Sequence, residues 1–228
     1  MFDGKFRAPV DKAVRPIGNA LRRLGLSPDV LTVIGLLIGV AAAIAIGTGR
    51  LTLGLILVIL AAVPDLLDGA VAKASNTASQ RGAFFDSTMD RITDALLLGG
   101  IAWYFAGHES PYMALLPFAV ASVSGLISYQ RAKAESLGLD AKGGLMERAE
   151  RIIAICVGLL YEPLLIPILW IMLVLTSITA IQRFVKVWRQ AEVAPVTRER
   201  IELRRSRRQS RRTARIERRR TRVPRRGG

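Results

Sequence analysis

The chain reads as six long apolar runs separated by short polar connections, at about 30–46, 51–72, 82–106, 112–134, 145–161 and 163–188. Within each run the apolar residues are nearly continuous instead of recurring on one face. An α-helix rises about 1.5 Å per residue, so a run near twenty residues matches the roughly 30 Å hydrocarbon core of a bilayer. The pattern predicts an all-α integral membrane protein with six transmembrane helices. Local signals agree: Ser27 or Asp29 can cap the first helix, Gly47-Thr48-Gly49-Arg50 turns the chain, and Pro163 opens the last run.

Two segments depart from this pattern. Residues 5–24 place Phe6, Val10, Val14, Ile17, Leu21 and Leu24 on one side and Lys5, Lys12, Arg15, Arg22 and Arg23 elsewhere. This predicts an amphipathic interfacial helix, bent near Pro16. Beyond Pro195 the chain is poor in apolar residues and dense in Arg, so it cannot bury enough surface to fold alone and is expected to be disordered. The predicted organisation is an amphipathic segment over 1–29, a six-helix membrane domain over 30–190 and a basic tail over 191–228. Residues 1–29 lack the compact apolar core of a cleaved signal peptide, so the first span is expected in the mature protein.

Charge gives the arrangement a direction. Of the net +15, the stretch from Arg198 to Arg226 contributes +12, with fifteen Arg against Glu199, Glu202 and Glu217. The N-terminal segment, the connections after the second and fourth runs, and the tail hold nearly all Lys and Arg. The other connections offer only Arg50. The positive-inside rule then places both termini on the cytoplasmic side of the cell membrane. There the tail meets anionic lipid headgroups, worth about 1 kcal/mol per basic residue near the surface. Without interleaved aromatics or a nucleic-acid-binding fold, the tail does not point to nucleic acid. One cysteine, Cys156, excludes an intrachain disulfide, and one histidine, His108, excludes a Ser-His-Asp triad and a His-rich metal site.

The informative polar residues lie where the second run ends and the third begins. Asp65 and Asp68 stand three apart and Asp86 and Asp90 four apart, so each pair occupies one helix face. Both pairs fall on the cytoplasmic side, across the short connection at 73–81. An ionised acid costs roughly 2.5 to 3.5 kcal/mol near the bilayer centre, and a bound cation would offset that cost. Carboxylates without nearby Cys or His suit Mg²⁺ or Mn²⁺ better than Zn²⁺. Asp94 continues the row from Asp86 and Asp90 in a supporting role, and it keeps an acid-lined ion pathway as an alternative. A plainer reading pairs these acids with Lys73, Arg81 and Arg91 as helix-end residues.

The spacing Asp65-x-x-Asp68-Gly69-x-x-Ala72-Lys73, followed after eight residues by Gly82-x-x-x-Asp86-x-x-x-Asp90, resembles the signature of the CDP-alcohol phosphotransferases. That resemblance implies two Mg²⁺ ions, with Mn²⁺ as a substitute, held by Asp65, Asp68, Asp86 and Asp90, with Asp90 also the general base. It implies CDP-diacylglycerol as donor, bound by Pro28, Asp29, Val30, Thr32, Gly69, Lys73, Ser79 and Gly82, and a homodimer. Lys73 stands where the family pattern has Arg, keeping the charge but not the planar fork.

Later in the chain, SYQRAKAE, MERAER and the late Gln-Arg resemble the phosphatidylinositol phosphate synthase branch of that family. Ser128, Arg131, Arg148, Arg151 and Arg183 would then hold the phosphate of an inositol phosphate acceptor, with Glu147 and Glu150 steadying the arginines. A glycerol 3-phosphate acceptor, giving a phosphatidylglycerophosphate synthase, is the alternative within the family. A divalent-cation transporter using the same acids is the alternative outside it.

Overall fold

The computed structural model describes residues 28–62, 79–141 and 143–191. All regular structure among them is helical: α1 (Pro28–Gly47), α2 (Leu51–Ala62), α3 (Gln80–His108), α4 (Leu115–Ser136), α5 (Arg148–Leu160) and α6 (Leu165–Ala191). The 3₁₀ turns Pro111–Ala114 and Glu162–Leu164 lead into α4 and α6. The expected interfacial helix, the end of the second run with Asp65, Asp68, Gly69 and Lys73, and the Arg-rich tail lie outside the described residues. The chain divides into two units after Phe184, and the site described below belongs to the first.

Among the described residues, three helical stretches are long and apolar enough to cross a membrane: Asp29–Gly47, Pro111–Ser136 and Glu162–Ala191. Their outward faces carry Leu37, Phe118, Trp170 and Ile181, each more than half exposed. Such surface suits lipid far better than water. The fifth helix is shorter than the apolar run predicts. It starts at Arg148 rather than 145, and its 13 residues rise only about 20 Å. The cause lies in the stretch just before it: Gly143 takes φ +93°, Glu147 is extended, and the amides of Leu145 and Met146 bond to a side chain of α6 instead of a helical carbonyl.

α3 has two halves with different tasks. Its second half supplies Leu97, Leu98, Ile101, Tyr104 and Phe105 to a core shared with Ala42 and Ile46 of α1, Val58 of α2, Val120 of α4, Ile155 of α5 and Leu169 of α6. Its first half, through Asp94, carries the charged and hydroxyl side chains. α1 runs along α3, and small residues let the two backbones approach. A Cβ at Gly100 would fall 2.6 Å from the Ala43 carbonyl oxygen, whereas nothing lies within 4 Å of one at Gly99.

These neighbouring glycines should therefore respond oppositely to alanine. Gly100→Ala forces α1 away from α3 and should cost about 1 to 3 kcal/mol. Gly99→Ala, open on the same helix, should gain up to about 1 kcal/mol from its better helix propensity. Thermal unfolding in detergent measures both, and shifts of the same sign would defeat the close-approach account.

Candidate active site

The start of α3 is fixed by its own sequence. Ser79 is extended, and its hydroxyl accepts a hydrogen bond from the Gly82 amide at 3.0 Å, capping the helix. Asp29, in the first turn of α1, stands beside this cap: a Cβ at Gly82 would come 4.0 Å from Asp29 Oδ1. The beginnings of α1 and α3 thus lie together. This joins Asp29, Ser79 and Gly82, expected at the nucleotide, although Ser79 also has a capping duty that the spacing did not reveal.

About two turns beyond Gly82 along α3, a cluster of ion pairs begins. Asp90 Oδ1 lies 2.8 Å from Arg148 Nη1, and Asp90 Oδ2 lies 3.6 Å from Arg91 Nη2. Asp94 meets two guanidinium groups, Arg148 Nε at 3.4 Å and Arg151 Nη2 at 2.5 Å. Sequence spacing alone pairs these arginines with Glu147 and Glu150; in the structure they reach across to α3. Arg151 is only 4% exposed and Asp94 12%, so solvent screens this pair little. Removing one partner of such a pair typically costs about 3 to 5 kcal/mol, because the other charge is stranded.

The arginines are aimed by the segment that precedes them. Leu139, Ala141 and Met146 are buried although residues 139–141 and 143–147 form no helix. Buried backbone needs partners, and α6 provides them. Thr179 Oγ1 accepts from the amides of Leu145 and Met146, both at 3.2 Å. Arg183 donates from Nη1 to the Ile127 carbonyl at 2.9 Å and from Nη2 to the Gly143 carbonyl at 3.0 Å. Arg183 is 5% exposed, so its fork ties α4 and this segment to α6, whatever else it binds. Gly143, with φ +93°, permits the bend.

A small cleft collects much of this chemistry. Its lining comprises Thr32, Gly35 and Leu36 of α1, Ala61 of α2, Met89, Asp90 and Thr93 of α3, and Arg148 of α5. One residue from each expected function is present: Thr32 for the nucleotide, Asp90 for metal and base, Arg148 for the acceptor. Asp86 stands one turn before Asp90 on the same helix face, partly buried. Ser128 accepts a hydrogen bond from Arg91 Nη1 and donates to the Ser124 carbonyl at 3.0 Å. Arg131 lies at the surface, paired with Glu135 at 3.0 Å. Val30 is exposed in the first turn of α1, and Pro28 begins that helix.

Asp86 and Asp90 offer hard oxygen donors, while the single thiol and the single imidazole lie elsewhere, Cys156 against the core and His108 at the opposite end of α3. That donor set fits a hard divalent cation. Among the described residues no three carboxylate, imidazole or thiol side chains form a metal-binding group; the partners expected to complete one, Asp65 and Asp68, lie outside them.

A family model described as CDP-alcohol phosphatidyltransferase matches residues 26–188. This chain belongs to that family. It is therefore an enzyme, of a family whose members use divalent metals. An archaetidylinositol phosphate synthase of Methanothermobacter thermautotrophicus is 38% identical over 194 residues, covering 82% of this chain and 94% of that protein. The crystal structure of Mycobacterium tuberculosis phosphatidylinositol phosphate synthase with CDP-DAG bound is 34% identical. It aligns with a TM-score of 0.73 over 78% of this chain and 94% of that one. The same enzyme in complex with manganese and citrate also gives 0.73 and 34% identity, over 77% and 88%. The family assignment removes the ion-pathway reading of the acid row. Two residues that matter here carried little or no sequence signal: Asp94, whose i,i+4 position was the only hint, and Thr179, which had none.

The role of Thr179 can be checked directly. Thr179→Val keeps the shape but removes the acceptor of two buried amides, and should cost about 1 to 3 kcal/mol. Thr179→Ser should retain most of the stability. Hydrogen exchange of the peptide covering 139–147 should speed up in the valine variant only, and equal protection in both would refute the tether.

Proposed function

We propose that this protein transfers the phosphatidyl group of CDP-diacylglycerol to an inositol phosphate, releasing CMP and leaving phosphatidylinositol phosphate. The observation that carries this reading is the single cleft in which Thr32, Asp90 and Arg148 meet. The comparisons support it. The M. tuberculosis enzyme of that name was solved with CDP-DAG, and the archaeal relative's name shares the inositol phosphate headgroup with a different lipid. The common element is the acceptor, and acceptor recognition is what an arginine pair suits.

The donor's diphosphate would lie between the first turns of α1 and α3, with Pro28, Asp29, Val30, Thr32, Ser79 and Gly82 around the nucleotide, joined by Gly69 from the second run and Lys73 from the connection after it. Divalent cations, two Mg²⁺ in this reading or Mn²⁺ in their place, held by Asp65, Asp68, Asp86 and Asp90, would neutralise the diphosphate and stabilise the leaving oxygen of CMP. Arg148 and Arg151, with Ser128 and Arg131 nearby, hold the acceptor's phosphate. Arg183 adds its charge while anchoring the wall behind them. Asp90 takes the proton of the attacking hydroxyl. As it does so, the acceptor oxygen bonds to the lipid-side phosphorus and the bond from that phosphorus to CMP breaks. The reading carries with it six membrane spans, a homodimer, and a site and both termini on the cytoplasmic side.

Purified protein should release CMP from CDP-diacylglycerol with Mg²⁺, fastest with inositol phosphate, and slower with glycerol 3-phosphate or unphosphorylated inositol. Asn at Asp65, Asp68, Asp86 or Asp90 should abolish that release, and at the first three should also weaken Mn²⁺ binding measured by titration. Faster turnover with glycerol 3-phosphate would convert the reading to a phosphatidylglycerophosphate synthase. Near-normal activity of any Asn variant at saturating Mg²⁺ would remove that residue from the site.

The tail is assigned to anionic lipid on the cytoplasmic face. Deleting the chain from Arg198 onward should leave CMP release in detergent nearly unchanged, because the proposed site is complete without it. Binding to vesicles containing anionic lipid should fall, and the difference should shrink as salt rises. A folded but inactive truncation would refute this division of labour.

A further inference from the structure

The mechanism above leaves one largely covered carboxylate of α3 without a task. Asp94 is 12% exposed and shares Arg148 with Asp90. Its two carboxylate oxygens are divided between two guanidinium groups: Oδ1 faces Arg148 Nε at 3.4 Å and Oδ2 faces Arg151 Nη2 at 2.5 Å. Arg148 and Arg151 are three residues apart at the start of α5, so one carboxylate fixes the angle between two neighbouring side chains. Arg148 in turn is shared, with Nη1 on Asp90 at 2.8 Å and Nε on Asp94.

We propose that Asp94 is a positioning residue for acceptor recognition, holding Arg148 and Arg151 as a preset pair and keeping Arg148 from closing wholly onto Asp90. The inference rests on the acceptor role given to these arginines above. Its physical basis is competition. Arg151, 4% exposed, cannot turn to solvent for a partner, and Arg148 has two carboxylates within reach. Asp94 satisfies the first and draws the second away from the base. A phosphate arriving at the pair meets guanidinium groups whose orientation is already set, and the ordering cost of binding is correspondingly smaller. Asp94 sits one turn beyond Asp90 on a continuous helix, so the distance between base and arginine anchor is held by α3 itself.

Asp94→Asn keeps the shape and removes the charge. Calorimetric titration of the Mg²⁺-bearing protein with inositol phosphate should show affinity lowered roughly ten- to a hundredfold, the loss expected for charge-assisted contacts. KM for CDP-diacylglycerol, measured by CMP release, should stay within about twofold, since a tenfold change corresponds to a full lost contact. In the Arg151→Ala background the same substitution should add little, because the two residues act as one unit. A merely structural Asp94 would instead weaken both substrates alike. That outcome, an unchanged acceptor affinity, or fully additive effects with Arg151→Ala would overturn the proposal. If Asp94→Asn does not fold, Asp94→Glu carries the test: its longer arm should displace the pair and selectively weaken the acceptor, and equal losses for both substrates would count against the idea. Wild-type activity with a different phosphorylated acceptor would defeat only the choice of inositol phosphate, and the same split measured on that acceptor would still decide the role of Asp94.

Discussion

The ion pairs between α3 and α5 are the constraint on which the site depends. Asp90, Asp94, Arg148 and Arg151 place charge beside helices of which three, among the described residues, are apolar enough to cross a membrane. Burying any of these charges alone would cost several kcal/mol, and pairing repays that cost only when the geometry is good. The helices bearing them must therefore be held at a set distance and rotation. The alternation of acid, arginine, acid and arginine makes each charge the condition for its neighbour.

The rest of the molecule supplies that distance. The second half of α3 is locked in the apolar core, and Gly100 against Ala43 brings α1 close enough for Asp29 and Thr32 to stand beside Gly82 and Asp90. On the other side, Thr179 and Arg183 of α6 satisfy the backbone of the non-helical stretch before α5. That stretch decides where α5 begins, and so where its first two arginines point. An uncharged packing layer and a set of side-chain-to-backbone bonds thus aim the charged site.

The arrangement also gathers helix beginnings. α1 and α3 start side by side, and α5 starts with the arginines that face α3. Helix N-termini carry partial positive charge, so this end of the bundle suits the diphosphate and phosphate groups that the family's chemistry handles. Carboxylates among these positive ends meet guanidinium partners, as Asp90 and Asp94 do one turn apart with Arg148 and Arg151.

Much of this was legible in the chain itself. Continuous apolar runs mark candidate membrane helices because length and hydropathy are local properties, and helical spacing sets Asp86, Asp90 and Asp94 in one row along α3 because i,i+4 geometry is local too. The length of α5 was not legible, since an apolar run does not show that the amides of Leu145 and Met146 will be taken by Thr179, more than thirty residues away. Nor was the partner of Arg151. Glu147 and Glu150 were the neighbours by spacing, but Asp94, 57 residues earlier, makes the close pair. Periodicity states which face of a helix is charged; only the packing of one helix against another decides which charges meet.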